Sequence, residues 1–384
     1  MDPSNRKMSI RVVHTIHAFT ATTGGTATCT YDLLAALNKL KDVQAEMLVT
    51  LPYQPLMGHG EEWINTVKND EKTRFGVSAN LRKALQQSDA DIFHTNGLWR
   101  YCNHITAVVA RQKGKPFVLT PHGMLYPQAL DQSKWQKRLL HTAMFDRDIR
   151  SASCIHVTCE EEMNVIRALG YTNPIAVIGN PVPEALVTES VPKTNKLTFG
   201  YLGRLHPRKY VERLMEAMTL LSDKEKEQCE LLIMGSGDPD YEKSLRERAA
   251  EMPNIRFLGF VEGEEKERQL AAIHALFVPS DFENFGMIVT EALRAGTPVF
   301  AGTGTPWRLL NEKGCGWWQK PTPENMASVM REIITMNLKN LDEMGRIGQQ
   351  LVTERFSDKA VAQQMSELYH WIVTKQNKPS FIYE

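Results

Sequence analysis

Short runs rich in Val, Ile, Leu and Phe recur along the chain, separated by stretches with apolar residues at helical spacing. In the first half they are IRVVHTIHA (10–18), AEMLVTLP (45–52), DIFHTNG (91–97), PFVLTPHG (116–123), SCIHVTC (153–159) and PIAVIGN (174–180). In the second they are KLTFGYLGRL (196–205), ELLIMGSG (230–237), NIRFLGFV (254–261), ALFVPSD (275–281) and PVFAGTG (298–304). Runs buried on both faces that alternate with helical stretches predict parallel sheets joined by right-handed crossovers. The prolines and polar residues of NPVPEALVTESVPKTNK (180–196) divide the series in two. The expected fold is α/β, with Rossmann-like domains over 1–190 and 191–355. Residues 356–384 follow, and FSDKAVAQQMSELYHWIV has the helical spacing to pack back on the first domain.

Composition narrows the setting. A chain of 384 residues is too long for one ordinary core. Lys+Arg 45 against Asp+Glu 45 leaves no bulk field toward nucleic acid or an anionic membrane, so any polyanion is gripped locally. Cys29, Cys102, Cys154, Cys159, Cys229 and Cys315 are scattered without a CxxC pair, which argues against a zinc site or a disulfide framework and for a reduced, cytoplasmic setting. MDPSNRKMS is polar, and the run after it is too short and too polar for a signal segment or a membrane span. SKWQKRLLHTAMFDRDIR (133–150) sets Lys134, Trp135, Lys137 and Arg138 beside Leu139, Leu140 and Phe145, as a peripheral helix at the inner face of a membrane would. Asp146 and Asp148 dilute that charge, and a solvated helix explains the pattern as well.

In open α/β sheets ligands lie beyond the carboxyl ends of the strands, so the residues after each run are the informative ones. AFTATTGGTATCTYDLLAAL puts Gly24-Gly25 just before a helix, where free N–H groups suit an anion or a sugar hydroxyl; a plain turn uses the same pair. PHGML (121–125) sets His122 at a strand end, as a donor or acceptor near neutral pH or as a satisfied turn histidine. His94 holds a comparable position in DIFHTNG and reads as structural. GYLGRLHPRKYVERLMEAM (200–218) reads as a strand, a turn and then a helix carrying Arg204 and Lys209, and one guanidinium plus one ammonium at a helix start would compensate a diphosphate. A solvated charged face accounts for the same two cations. MGSGDPDYEKSL (234–245) adds Gly235 and Gly237; with FLGFV (257–261) it offers a place for a flat base read by backbone near Phe260-Val261, or simply a strand and its turn.

SDFENFGMIVTEALRAGTPV (280–299) reads as a strand end, a loop and a helix closed by Gly296. Glu283 falls in the loop and Glu291 about one and a half turns into the helix, so both can face one crevice. A carboxylate accepts paired hydrogen bonds from vicinal hydroxyls, so one could hold a hexose and the other a ribose. A cap and an ordinary helix glutamate are the alternatives. Phe282, Asn284, Phe285 and Gly286 add backbone amides ahead of the helix, suited to a diphosphate and sugar hydroxyls.

With ENFGMIVTE as an E-x7-E, GRLHPRK, the paired glycines, HG after a strand, the GSG turn and FLGFV all in order, nearly the whole chain resembles the retaining, nucleotide-sugar-dependent glycosyltransferases of family 4. The resemblance implies the GT-B architecture, two facing Rossmann-like domains with an interdomain cleft. It implies that Arg204 and Lys209 neutralise the donor diphosphate, that Glu283 with the Asn284-Phe285-Gly286 amides holds the donor sugar, and that Glu291 binds the ribose. Gly24-Gly25 would approach the donor, and His122 would position or polarise the transferred sugar. The implied partners are a nucleotide-sugar donor and a saccharide or lipid-linked saccharide acceptor, with no tightly bound cofactor, metal or nucleic acid. A front-face displacement, with Glu283 not the nucleophile, is the implied mechanism. The chain departs from the pattern in ENFG for the commoner EGFG, where asparagine tolerates positive φ, and in Tyr210, where a glycine often follows the lysine. GTGTPWRLL replaces the usual GGxPE, and with CGWW (315–318) it points to relatives that build bacterial surface polysaccharides.

Other readings differ in what they require. The pairs Asp89/Asp91, Asp146/Asp148 and Asp238/Asp240 have the D-x-D form of a metal site, but only the last follows a strand. A nucleotide-sugar epimerase or a phosphorylase shares the fold without needing an acceptor groove together with E-x7-E. A non-catalytic carbohydrate-binding protein would not need both cations, both glutamates and His122.

Overall fold

In a computed structural model the chain is described over residues 9–17, 19, 25–50, 61–68, 75–131 and 134–384. Its strands, in chain order, are β1 (Ile10–Ile16), β2 (Val43–Thr50), β3 (Ile64–Val67), β4 (Ile92–Asn96), β5 (Phe117–Thr120), β6 (Cys154–Val157), β7 (Ile175–Val177), β8 (Leu197–Leu202), β9 (Cys229–Met234), β10 (Ile255–Gly259), β11 (Ala275–Val278), β12 (Val299–Gly302), β13 (Gly316–Gln319) and β14 (Ile382–Tyr383). They form two sheets in two compact units, Met1–Pro181 with Asp358–Glu384, and Val182–Ser357.

In the first unit the strand order is β14-β7-β6-β5-β4-β1-β2-β3, parallel except for β14. β4, β5 and β6 are buried along their whole length because helices cover both faces of the sheet. The helix Asp358–Thr374 packs on the helix Gly25–Leu37, and Val361, Met365, Leu368, Tyr369 and Ile372 enter the core that β1 and β2 build. That i, i+4, i+7, i+8, i+11 stripe is one face of a helix.

The second unit is a parallel sheet of order β10-β9-β8-β11-β12-β13. The stretch read as a linker, 180–196, is for the most part a fastened piece of this unit. Glu267, buried and paired with Arg294, accepts from the Leu186 and Val187 amides at 2.8 and 3.0 Å. Lys193 donates to the Ile273 carbonyl at 2.6 Å and to Thr297 Oγ1 at 3.2 Å, and burial lowers its pKa to about 8. These bonds fasten Leu186, Val187 and Lys193 within the compact unit Val182–Ser357. β3, β13 and β14 lie outside the apolar runs: β3 is a half-exposed edge and β14 only two residues, too little pattern to read.

Close backbone approach fixes the helix Leu338–Arg355 against the loop that follows the helix Met287–Arg294. A Cβ on Gly345 would lie 2.2 Å from the Gly296 carbonyl oxygen. Gly345→Ala gains about 1 kcal/mol of helix propensity but overpacks a backbone contact, which costs about 1–3 kcal/mol. The expected result is a lower melting temperature for the second unit, and a raised one would show that the two backbones can part freely.

Candidate functional site

In the second sheet the chain runs outward in one direction from β8 through β9 to β10 and in the other from β11 to β13, so the β8/β11 pair is the topological switch point. Loops leaving the carboxyl ends there form the ligand crevice of such sheets. Two ion pairs join them. Lys209 Nζ is hydrogen-bonded to Glu283 Oε1, and Arg213 grips Asp281 with both guanidinium arms, at 2.6 and 2.9 Å. Lys209 and Glu283 are half-buried. Arg204 is exposed, and its guanidinium has no ion-pair partner among the described residues.

Neither cation sits on the helix. Lys209 ends a one-turn 3-10 segment, Pro207–Lys209, ahead of the helix Val211–Thr219. Tyr210, at φ 53° and ψ 41°, joins the two in the left-handed region, which is why a glycine is common there. That conformation costs an L-residue about 1–2 kcal/mol. The Arg213 guanidinium 3.7 Å over the Tyr210 ring offsets part of it.

The turns after β8 and β9 are zipped together. Leu205 N–H donates to the Ser236 carbonyl at 3.0 Å, and Asp238 N–H donates to the Leu205 carbonyl at 2.8 Å. Cβ atoms on Gly235 and Gly237 would meet the Gly203 and Leu205 oxygens at 1.9 and 2.0 Å. This contact alone requires both glycines, without a base beside them. Asp238 caps the following helix, accepting from the Tyr241 amide at 3.0 Å. At the end of β10 the Phe260 ring is exposed and Val261 is half-buried.

The loop after β11 is held from below. Phe285 is buried in edge contact with Trp307 and Phe356, and Trp307 Nε1 donates to the Phe285 carbonyl. Trp318 Nε1 in turn donates to the Thr305 carbonyl at 3.0 Å. The unusual GTGTPW and CGWW segments are thus the scaffold of this loop. Its left-handed residue is Gly286, φ 79°, and not Asn284, so the asparagine's tolerance of positive φ is not what preserves the turn. Among the described residues the Phe285 and Gly286 N–H groups have no internal acceptor, and Gly286 caps the helix Met287–Arg294. Glu291, on that helix, is paired with Lys266 at 3.0 Å, a lysine hidden in the sequence by the charged run GEEKERQ. The structure therefore brings Glu283 to Lys209 and gives Glu291 a cation of its own.

In the first unit, His122 follows β5 in a left-handed conformation, φ 49°, rare for a residue with a side chain. Glu162, a buried residue the sequence did not single out, fastens the turn by accepting from the Gly123 and Thr158 amides. His122 Nε2 lies 3.3 Å from Asn96 Oδ1 at the end of β4. Behind it stand His14, His94 and His156, all fully buried. Burial lowers His14 to about 3, His156 to about 4 and His94 well below its ordinary value; His122 falls to about 3, by burial and then by its neighbour His156. Gly25 opens the helix Gly25–Leu37 with open space where a Cβ would stand; Gly24 lies outside the described residues. In 133–150 only part is apolar to solvent: Trp135 and Leu139 are exposed while Phe145 is buried. No described helix is long and apolar enough to cross a membrane.

Two family models match the chain, "Glycosyl transferases group 1" over residues 184–351 and "Glycosyl transferase 4-like domain" over residues 24–181. An uncharacterized glycosyltransferase of Methanocaldococcus jannaschii is 32% identical over 130 residues, 33% of this chain and 33% of its own. The O-antigen chain mannosyltransferase B of Escherichia coli is 25% identical over 189 residues, 46% of this chain and 48% of its own. These matches span a third to about a half of the curated relatives' length. Anabaena HepE, crystallised with UDP and glucose, shares the fold at 18% identity and a TM-score of 0.72, over 94% of this chain and 99% of its own.

The buried histidines make the first unit acid-sensitive. His14, His94 and His156 stay neutral when folded but take a proton near pH 6.5 when unfolded, so the unfolded chain binds more protons below that pH. Stability therefore falls as pH drops from about 6.5 toward 4, by up to about 1.4 kcal/mol per pH unit for each ring. Melts at pH 7.5 and 5.5 are expected to show the first unit's transition moving down, and a transition that stays put would mean the rings protonate in place.

Proposed function

We propose that this chain, a family 4-like glycosyltransferase of GT-B architecture, moves a hexose from a nucleotide-diphosphate sugar to a hydroxyl acceptor with retention of anomeric configuration. The observation that carries the reading is the Lys209–Glu283 pair at the switch point, beside the open Phe285 and Gly286 amides. A cation and a carboxylate that neutralise each other without ligand can each be turned to a ligand that offers both charges' complements, phosphate oxygens to Lys209 and sugar hydroxyls to Glu283. Arg204, without an ion-pair partner among the described residues, adds a second cation for the diphosphate, and the two amides add donors without a charge. Glu291, held by Lys266, keeps a carboxylate oxygen for the ribose hydroxyls.

In this reading the bond from the anomeric carbon to the phosphate oxygen breaks and one to the acceptor oxygen forms on the same face. The acceptor's proton passes to the departing phosphate oxygen. Lys209 and Arg204 stabilise the charge that gathers on the diphosphate, the largest contribution open to such a site. Glu283 orients the sugar and does not attack it. His122 positions or polarises the transferred sugar, and no metal enters the scheme. Likeness to an O-antigen chain mannosyltransferase supports a role in surface glycan assembly on a saccharide or lipid-linked acceptor. The exposed Trp135 and Leu139 suit a peripheral contact with the membrane that carries such a lipid.

Thermal-shift screening against UDP, GDP and ADP, then the matching nucleotide sugars, should find one base that stabilises the second unit, by about 2.7 kcal/mol at a hundredfold excess over Kd. Arg204→Ala is expected to weaken that nucleotide about 10- to 100-fold, the range for a hydrogen bond to a charged group. Glu283→Gln should leave nucleotide binding within a few-fold and cut sugar transfer about 100-fold. Unchanged affinity in Arg204→Ala would remove the diphosphate assignment.

A further inference from the structure

Beneath His122 the polar side chains of the first unit form one unbroken hydrogen-bonded chain. It runs from the Ile178 carbonyl through His156, Thr120, His94, Tyr369, His14 and Asn96 to His122, and every member between the ends is buried. The residues come from β1, β4, β5, β6 and the helix Asp358–Thr374. Nothing in the donor scheme uses them. Apolar side chains would fill such a core at no desolvation cost, so a buried polar row of this length calls for a reason.

Both ends fix its direction. The Ile178 carbonyl only accepts, so His156 carries its proton on Nε2, 2.8 Å away, and its Nδ1 is bare. Thr120 must then donate to that Nδ1 at 2.8 Å and accept from His94 Nε2–H at 2.7 Å. His94 Nδ1 is thereby bare and takes the Tyr369 hydroxyl proton at 2.8 Å, while the phenol oxygen accepts from His14 Nε2–H at 3.0 Å. His14 Nδ1 receives Asn96 Nδ2–H at 3.3 Å. From the other end, Asn96 Nδ2 also faces the Thr15 carbonyl at 3.4 Å, which sets the amide the same way round. Asn96 Oδ1 is left to accept, and it faces His122 Nε2 at 3.3 Å.

We propose that this buried chain is a tautomer lock: it holds the proton of His122 on Nε2 and keeps Nδ1 bare, an acceptor for a hydroxyl of the transferred sugar. His14, His94, Thr120, His156 and Tyr369 are positioning residues, acting on substrate only through His122. The lock rests on the assignment of His122 to the sugar made above. Tyr369 is its central link, because its one hydroxyl donates to His94 and accepts from His14. Without it the row falls into two pieces, and the 3.4 Å bond from Asn96 to the Thr15 carbonyl is all that still opposes a joint reversal of His14, Asn96 and His122.

The test is the long-range proton–nitrogen spectrum of the full chain labelled with 15N-histidine, with His122→Gln to assign the ring. In the wild type, His122 is expected to show a single Nε2–H tautomer from pH 8 to pH 6, where a free imidazole would exchange tautomers and titrate. In Tyr369→Phe a second tautomer is expected to appear. With the nucleotide sugar selected by the screen, and water as acceptor, kcat should fall about five- to tenfold, the worth of one hydrogen bond, while KM stays within about twofold. Thr120→Val breaks the row at another link and should act in the same direction, so the decision stands even if one variant fails to fold. An Nδ1–H or averaged His122 in the wild type overturns the lock, as does a His122 spectrum that both variants leave unchanged. A wild-type Nε2–H ring together with full sugar transfer in His122→Ala would instead overturn the assignment of His122 to the sugar.

Discussion

The ion pair from Lys209 to Glu283 is where the second unit's architecture and its chemistry meet. It exists because β8 and β11 are neighbours in the sheet although far apart in the chain, so the loops that leave their carboxyl ends must face each other. The Arg213–Asp281 pair, the zipped glycine turns and the Trp307–Phe285 hydrogen bond all hold those two loops at fixed positions. Remove the adjacency and the same residues would be scattered surface charges. A parallel sheet that reverses its order makes a site out of connection lengths as much as out of side chains.

Much of this was legible in the sequence because it depends on local periodicity. The apolar runs gave the interior strands, where burial on both faces leaves a strong pattern, and failed at β3 and β14, which are half-exposed or very short. Glu283 and Glu291 stood out by their spacing and by the strand, loop and helix around them. Lys266 did not, because one lysine in GEEKERQ looks like any solvated helix face, and only the fold brings it to Glu291. Glu162 and Asn96 were missed for the same reason: each acts on a residue dozens of positions away. His94 was read as structural from its strand end, and it is a buried member of a row that no linear pattern announces.

Two of the departures from the family pattern meet specific partners in the fold. Tyr210 accepts a left-handed backbone and receives the Arg213 guanidinium on its ring, while the same Arg213 holds Asp281 in the facing loop. Trp307, in the segment that replaces GGxPE, holds the Phe285 carbonyl, and the CGWW tryptophan Trp318 steadies the turn before it. A cation–π contact at Tyr210 and a hydrogen bond at Trp307 stand where the family pattern has a glycine or a shorter turn.

The helix Asp358–Thr374 completes the core begun by β1, yet the whole second unit lies between them in the chain. During synthesis the second unit can therefore collapse on its own while the first waits, its β1 and β2 faces uncovered, until the helix Asp358–Thr374 leaves the ribosome. The order of assembly is thus inverted relative to the order of translation: of these two units, the one whose strands are made before the other's is the one that completes its core after it, and in the interval it offers chaperones an open apolar seam.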